Sequence, residues 1–226
     1  MCFDDGDTLP AWYGKIPGSG DFVNRRLPQA LANWWERWLQ QGMSAMRQRG
    51  DGEIERYYTV APVWNFLIPA GAGTHWVQPG CLAPSCDRVG RYYPVVVTLP
   101  MRVSDYRREL PDVADPFYWH VGTTLLDAIL HARAPEHLEQ ALAQARLCAD
   151  TGVAARNGEG ARVLAEPVTP IAPIGWPGLS QYFDPYGATS FWWTNRADGS
   201  ALRTLAHTGV PDAGFFLRLF GPQSGT

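Results

Sequence analysis

The segment RYYPVVVTLP, residues 91–100, decides which fold this chain is expected to adopt. Aromatic and β-branched residues, which favour β-strands, fill most of it. Successive side chains of a strand point to opposite faces, and here the consecutive valines at 95–97 make both faces apolar. Such a strand is typical of the interior of a sheet, where both faces are covered. The segment therefore predicts a central strand.

Other segments extend this strand into a sheet. Two apolar segments precede it, and short turns separate all three, which predicts an antiparallel meander. Later in the chain, two segments flank Asp198 and Gly199, a strong signal for a hairpin turn. Besides the central strand, strands are predicted within residues 12–17, 57–70, 75–85, 188–196 and 200–209.

The remaining regular segments have the periodicity of helices. The longest begins at Pro28 and ends at Gly50, and one of its faces carries Leu31, Trp35, Trp38, Gly42 and Met46. Shorter helices are predicted at 115–133, 135–149 and 211–221, each with a proline at its start.

The fold class is therefore mixed α/β (α+β): a mainly antiparallel sheet of about five strands, flanked by helices on one or both faces. Residues 1–226 are expected to form a single domain. Residues 150–173 have few large apolar side chains and several helix breakers, which predicts a mobile loop or insertion.

Charge and composition exclude several function classes. The formal net charge of the 226 residues is −3, so no global field favours nucleic acid or an acidic membrane surface. No apolar run is long enough for a membrane helix. The first residues, MCFDDGDTLPA, lack the apolar region of a signal peptide. We therefore expect a cytoplasmic protein without membrane insertion and without a nucleic-acid partner.

The sequence predicts no metal, cofactor or catalytic residue. Cys81 and Cys86 are spaced more widely than the C-x2-C pair of zinc sites, and the scattered histidines supply no second ligand pair. Ser19 lies in PGSGD rather than in the G-x-S-x-G turn of serine hydrolases. We therefore expect a protein that is not an enzyme.

The segment GKIPGSGDFVNRRLP, residues 14–28, superficially resembles a phosphate-binding loop. In a Walker A loop, however, the lysine follows the glycines, whereas Lys15 precedes Gly18 and Gly20. Asp21 stands where that loop would end, and its carboxylate would repel a phosphate. The segment is better interpreted as a corner between a strand and a helix, and we call it the 14–28 loop.

A second segment, SCDRVGRYYP at 85–94, has a similar composition, and we call it the 85–94 loop. Each loop places aspartate and arginine beside a glycine turn. Two interpretations remain open at this point: local ion pairs that fix the loops to the sheet, or a rigid charged surface that binds a protein partner. The candidate partner-binding residues are Lys15, Asp21, Phe22, Arg25, Ser85, Asp87, Arg88 and Arg91.

Several motifs in this order resemble the TagF (ImpM) family. They are G-K-x-P-x-x-G-D-F-V-x-R at 14–25, A-P-x-W at 61–64, S-x-D-x-V-G-R-x-x-P at 85–94 and S-x-W-W at 190–193. The resemblance implies a cytosolic accessory protein of the bacterial type VI secretion system. It also implies post-translational repression of secretion through binding to the forkhead-associated scaffold protein of that system. The family supplies no catalytic residues to carry over.

Two other functions compete with this one. A small-molecule or nucleotide-binding enzyme could use the 14–28 and 85–94 loops. A structural subunit could instead be held in a larger assembly by exposed aromatic side chains, because aromatic residues anchor interfaces. Ten tryptophans in the chain motivate that third function.

Overall fold

One antiparallel sheet organises the computed structural model, which describes residues 9–50, 52–145, 147, 176, 178–196 and 201–222. Its seven strands have the order β2-β1-β5-β4-β3-β6-β7. Their bounds are β1 Ala11–Gly14, β2 Val23–Arg25, β3 Trp64–Ile68, β4 Gln78–Ala83, β5 Val95–Thr98, β6 Thr189–Asn195 and β7 Ala201–Thr208. The mixed fold class is confirmed, while the expectation of about five strands falls short by two.

Strand β5 has the predicted central position. It pairs with β1 on one side and with β4 on the other, and all its residues are buried. Val96 contributes to the core on one face, while Val95 and Val97 contribute to the core on the other. The predicted meander is also present, because β3, β4 and β5 pair in succession.

Helices α1, Gln29–Gln48, and α6, Ala213–Phe220, cover one face of the sheet. Trp35 and Trp38 of α1 pack in this layer with Trp192 of β6, and Gly42 of α1 contacts the ring of Phe216. The apolar face predicted for α1 is therefore the face that is buried.

Four helices lie in the core layer on the opposite face: α2 Leu110–Val113, α3 Asp115–Leu130, α4 Pro135–Leu142 and α5 Leu179–Tyr182. Trp193 of β6 points into this layer, whereas its neighbour Trp192 points into the other. Helices on both faces explain why the central strands are apolar throughout.

Some element bounds differ from the sequence-based expectations. The strand expected at 57–70 is split into a π-helical turn at Ile54–Tyr58 and β3, because Pro62 between them cannot donate to a ladder. Helix α3 ends at Leu130 rather than at residue 133, since Ala132 has a positive φ of 47° that a helix cannot accommodate. Helix α4 ends at Leu142 rather than at residue 149, and i to i+3 bonds follow it.

The predicted hairpin is formed by β6 and β7, which pair antiparallel from Thr189 and Thr208 onward. Its turn at Asp198 and Gly199 and the loop predicted at 150–173 both lie outside the described residues.

Candidate functional site

A buried ion pair joins the two loops that the sequence singled out. Lys15 directly follows β1, and its Nζ lies 2.9 Å from Oδ2 of Asp87, which lies in the loop between β4 and β5. The side chain of Asp87 is 0% exposed and that of Lys15 is 8% exposed. The pair therefore fixes the end of β1 to the 85–94 loop.

Asp87 is the centre of a larger hydrogen-bond network. The Nε of Arg91 donates to the same Oδ2 at 2.6 Å, and the backbone N–H groups of Val89 and Arg91 donate to Oδ1 at 3.1 and 2.9 Å. Burial opposes ionisation of this carboxyl, but the bonds from Lys15 and Arg91 outweigh it and hold the pKa of Asp87 well below its ordinary value. Asp87 is therefore a carboxylate that organises its own loop.

Backbone contacts also tie the two loops together. The N–H of Arg88 donates to the carbonyl of Ser19 at 2.8 Å, and Nη2 of Arg91 donates to the carbonyl of Gly20 at 2.9 Å. A Cβ on Gly20 would lie 3.1 Å from the guanidinium of Arg88. The two loops thus form one rigid corner at the end of the sheet, which we call the corner.

The glycines of the 14–28 loop are needed for close packing. A Cβ on Gly18 would lie 1.9 Å from the carbonyl oxygen of Arg133, just beyond α3. Gly14 has a φ of +134°, and a Cβ there would lie 2.2 Å from the carbonyl oxygen of Pro94. Protein atoms therefore occupy the space beside these glycines that a phosphate loop leaves open.

The corner presents a partly exposed aromatic ring, that of Phe22. Phe22 is 43% exposed, and its ring packs edge-on against Tyr93 at 4.7 Å and stacks on Tyr13. The ammonium of Lys15 lies 4.7 Å from the centroid of the Phe22 ring. We call five exposed side chains of the two loops the corner surface: Phe22, Arg25, Arg88, Val89 and Arg91.

Local ion pairs were one of the two interpretations of the loops, but Asp21 forms none with Arg25 or Arg26 within the described part of the chain. Asp21 instead accepts a bond from the N–H of its neighbour Phe22 at 2.7 Å. Arg26 pairs with Glu139 of α4 and bonds the carbonyl of Pro10. The similarity of the two loops therefore lies in their composition, because the carboxylate that holds both loops is Asp87.

Ser85 has a structural position. It is buried, and its backbone N–H and C=O both bond the hydroxyl of Tyr58, at 2.9 and 3.1 Å. Sequence reasoning missed Tyr58, Tyr13 and Tyr93 as supports of the corner. No local pattern reveals them, because Tyr58 and Ser85 are 27 positions apart in the chain.

The described residues contain neither a membrane-spanning helix nor a cluster of metal ligands. Across the described ranges, none of the helices combines the length and the apolar character that crossing a bilayer requires. In the same part of the chain, no group of three or more histidine, cysteine, aspartate or glutamate side chains is arranged to hold a metal ion.

A solved structure shares this architecture. The crystal structure of PA0076 from Pseudomonas aeruginosa PAO1 superposes with a TM-score of 0.69 and 28% sequence identity, and the match covers 96% of each chain. No curated protein sequence matches the chain.

The family model for the TagF N-terminal domain matches residues 11–145, which is more than half of the chain. The matched region contains both loops of the corner as well as strands β1 to β5 and helices α1 to α4. The resemblance inferred from the motifs at 14–25 and 85–94 is thereby confirmed. The chain belongs to the TagF N-terminal domain family, which is associated with the type VI secretion system.

Proposed function

We propose that this chain is a cytoplasmic, non-catalytic repressor of type VI secretion that acts after translation by binding the forkhead-associated scaffold protein of the system. Membership of the TagF family supports the link to secretion. The corner surface is the observation that carries the binding role. It combines an exposed aromatic ring with exposed arginines on a backbone that a buried ion pair holds in place.

Rigidity matters because binding must offset the entropy lost when interface groups become ordered. The guanidinium of Arg91 is already held by Asp87 and by the carbonyl of Gly20, and Phe22 is already packed on Tyr93. Aromatic and arginine side chains carry much of the binding energy in protein interfaces. A partner would therefore meet preordered side chains of the types that form strong contacts.

The same contacts count against the enzyme that competes with this proposal. A general acid or base exchanges a proton near the working pH. The carboxylate of Asp87 is fully buried, and its pKa is lowered by its cationic and N–H partners, so it stays ionised at neutral pH. Gly14 and Gly18 of the 14–28 loop face backbone carbonyl oxygens where a phosphate would have to sit. These facts favour binding over nucleotide chemistry.

Capture by the immobilised scaffold protein tests the proposal. We expect the wild type to be retained and Arg88→Glu to be lost with an unchanged melting temperature. The side chain of Arg88 is exposed and makes no ion pair among the described residues, so its reversal spares the fold. Arg91→Glu is a poorer choice, because it would place a second carboxylate beside Asp87.

Arg37→Glu is the matched control, since Arg37 is an exposed arginine on α1 outside the corner surface. It should be captured like the wild type. Equal capture of the Arg88 and Arg37 variants would show that the corner surface does not bind the scaffold protein. In cells, excess wild-type chain should lower effector secretion, whereas Arg88→Glu should not.

A thermal-shift series with nucleotides and divalent cations addresses the enzyme alternative. Any ligand that binds only the folded state raises the melting temperature as its concentration increases. Such a rise with a nucleotide, without capture by the scaffold protein, would support the enzyme and contradict the repressor.

A further inference from the structure

The outer face of helix α3 carries a regular row of exposed, mainly apolar side chains. Trp119 is 40%, Leu126 45% and Leu130 75% exposed, and Thr123 between them is also exposed. The successive spacings are four, three and four residues, which is the pattern of a coiled-coil contact. We call these four residues the α3 seam.

This face is not the one that holds α3 to the sheet. Phe117, Val121 and Leu125 fill the core layer beneath the helix. A surface helix of a globular protein normally has one apolar face and one polar face, so a second apolar row has no role within the layer. All ten tryptophans lie in the described residues, and Trp119 is the one whose side chain is exposed. Contiguous apolar surface of this kind marks an interaction site.

We infer that the α3 seam is the interface of a homodimer in which the α3 helices of two copies pack antiparallel. A two-fold axis brings the same surface of each copy together, so a self-complementary row is required. We place the two-fold axis midway between positions 124 and 125 of α3. Thr123 then faces Leu126 of the second copy, and Trp119 faces Leu130 of the second copy. Gly122 flanks the seam, and a Cβ there would meet nothing within 4 Å, which leaves room for the two helix axes to approach.

Charge at the two ends of α3 selects a second copy in the antiparallel direction. Asp112 and Asp115 lie at its N-terminal end, and Arg133 follows its C-terminal end. Antiparallel packing turns each acidic end toward Arg133 of the other copy and places opposite helix-dipole ends together, whereas parallel packing places the two acidic ends together. Asp127 already bonds both His131 and Arg133, so the remaining attraction sets direction more than affinity.

Sedimentation equilibrium tests the dimer. The wild type should have twice the chain mass of 25.0 kDa, and Leu126→Glu should have the mass of one chain. Two buried carboxylates in an apolar seam should weaken self-association by about a hundredfold or more. The control is Val60→Glu, because Val60 is 74% exposed and lies outside α3. It should remain dimeric.

Either of two results overturns the proposal. One is a wild type with the mass of a single chain up to roughly 0.1 mM, a concentration at which even micromolar association would be complete. The other is a Leu126→Glu variant that self-associates as the wild type does.

Disulfide capture tests the direction. Thr123→Cys chains mixed with Leu126→Cys chains should cross-link to each other, because the antiparallel register places these positions face to face. Wild-type chain oxidised under the same conditions gives the amount of cross-linking that comes from the native cysteines. Cross-linking within a pool of Trp119→Cys chains alone would indicate parallel helices and overturn the antiparallel assignment, because the antiparallel register keeps the two copies of position 119 about 16 Å apart.

Discussion

The corner depends most strongly on a single buried charge, the carboxylate of Asp87. Lys15 and Arg91 both contact it, yet they differ in environment: the side chain of Lys15 is 8% exposed, whereas that of Arg91 is 61% exposed. Ion pairs that remain in water contribute little, while breaking a buried pair leaves an uncompensated charge. Lys15, the only lysine in the chain, is therefore expected to be the residue that holds the two loops together.

Replacing Lys15 by methionine should lower the free energy of unfolding by about 3 kcal/mol, the lower end of the cost of breaking a buried pair, because Arg91 and two backbone N–H groups still bond Asp87. Urea denaturation followed by tryptophan fluorescence measures this change. Arg25→Met, at an exposed position on β2, should stay within about 0.5 kcal/mol of the wild type. An equal decrease in unfolding free energy for the two variants would show that the buried ion pair contributes no more to stability than an exposed arginine.

The stability of the fold should depend on pH through Asp87. Its pKa is lowered in the folded state, so its contribution is complete above the pKa of the unfolded chain, about 3.9 for aspartate. The contribution is lost as the pH falls through the folded value. The difference in unfolding free energy between the wild type and Asp87→Asn should therefore shrink as the pH is lowered below about 4. A difference that is constant with pH would contradict the assignment.

At the scale of the elements, two helical glycines offer a matched test of packing. A Cβ on Gly42 of α1 would lie 2.1 Å from the Phe216 ring of α6, whereas a Cβ on Gly122 of α3 would meet nothing within 4 Å. Alanine is favoured over glycine within a helix by about 1 kcal/mol. The same substitution should therefore have opposite effects at the two positions.

Gly122→Ala should stabilise the single chain by up to about 1 kcal/mol, measured in the Leu126→Glu background so that no second copy packs on this position. Gly42→Ala should destabilise it by about 1 to 3 kcal/mol, because α6 must move away from α1. Thermal unfolding of the two variants side by side gives the comparison. A stabilised Gly42→Ala variant would show that the contact between α1 and α6 is looser than its geometry indicates.

The elements that could be predicted from sequence are those with a strong local pattern. The apolar face of α1 and the valines of β5 can be recognised in the sequence, because burial on one or both faces imposes a regular spacing of apolar residues. Strand β2 has only three residues, two of them exposed, so it leaves no such repeat. Hydrophobicity alone assigned residues 57–70 to one strand, but Pro62 interrupts that segment and the strand begins only at Trp64.

The candidate site could be predicted only in part, for a different reason. The composition of the 14–28 and 85–94 loops drew attention to two segments that contact each other in the structure. Their contacts could not be deduced, because Lys15 and Asp87 are 72 positions apart and only the pairing of β1 with β5 brings them together. The position of the Phe22 ring likewise depends on its contacts with Tyr13 and Tyr93, and Tyr93 is far from Phe22 in the sequence.

At the scale of the whole molecule, a sheet between two helical layers carries two distinct surfaces. The corner lies where β1 ends and β5 begins, and the α3 seam lies on the outside of one helical layer. The fold is shared over 96% of both chains with PA0076 at 28% identity. That architecture leaves loops and outer helix faces as the places where specific contacts can be made.

The proposed binding to the forkhead-associated scaffold protein of the type VI secretion system can be measured by calorimetric titration with the purified chain. We predict saturable binding by the wild type and by Arg37→Glu. Arg88→Glu should bind at least about tenfold more weakly, since a reversed charge faces the partner's complementary surface. An absence of binding by the wild type, or equal affinities for all three chains, would contradict the account.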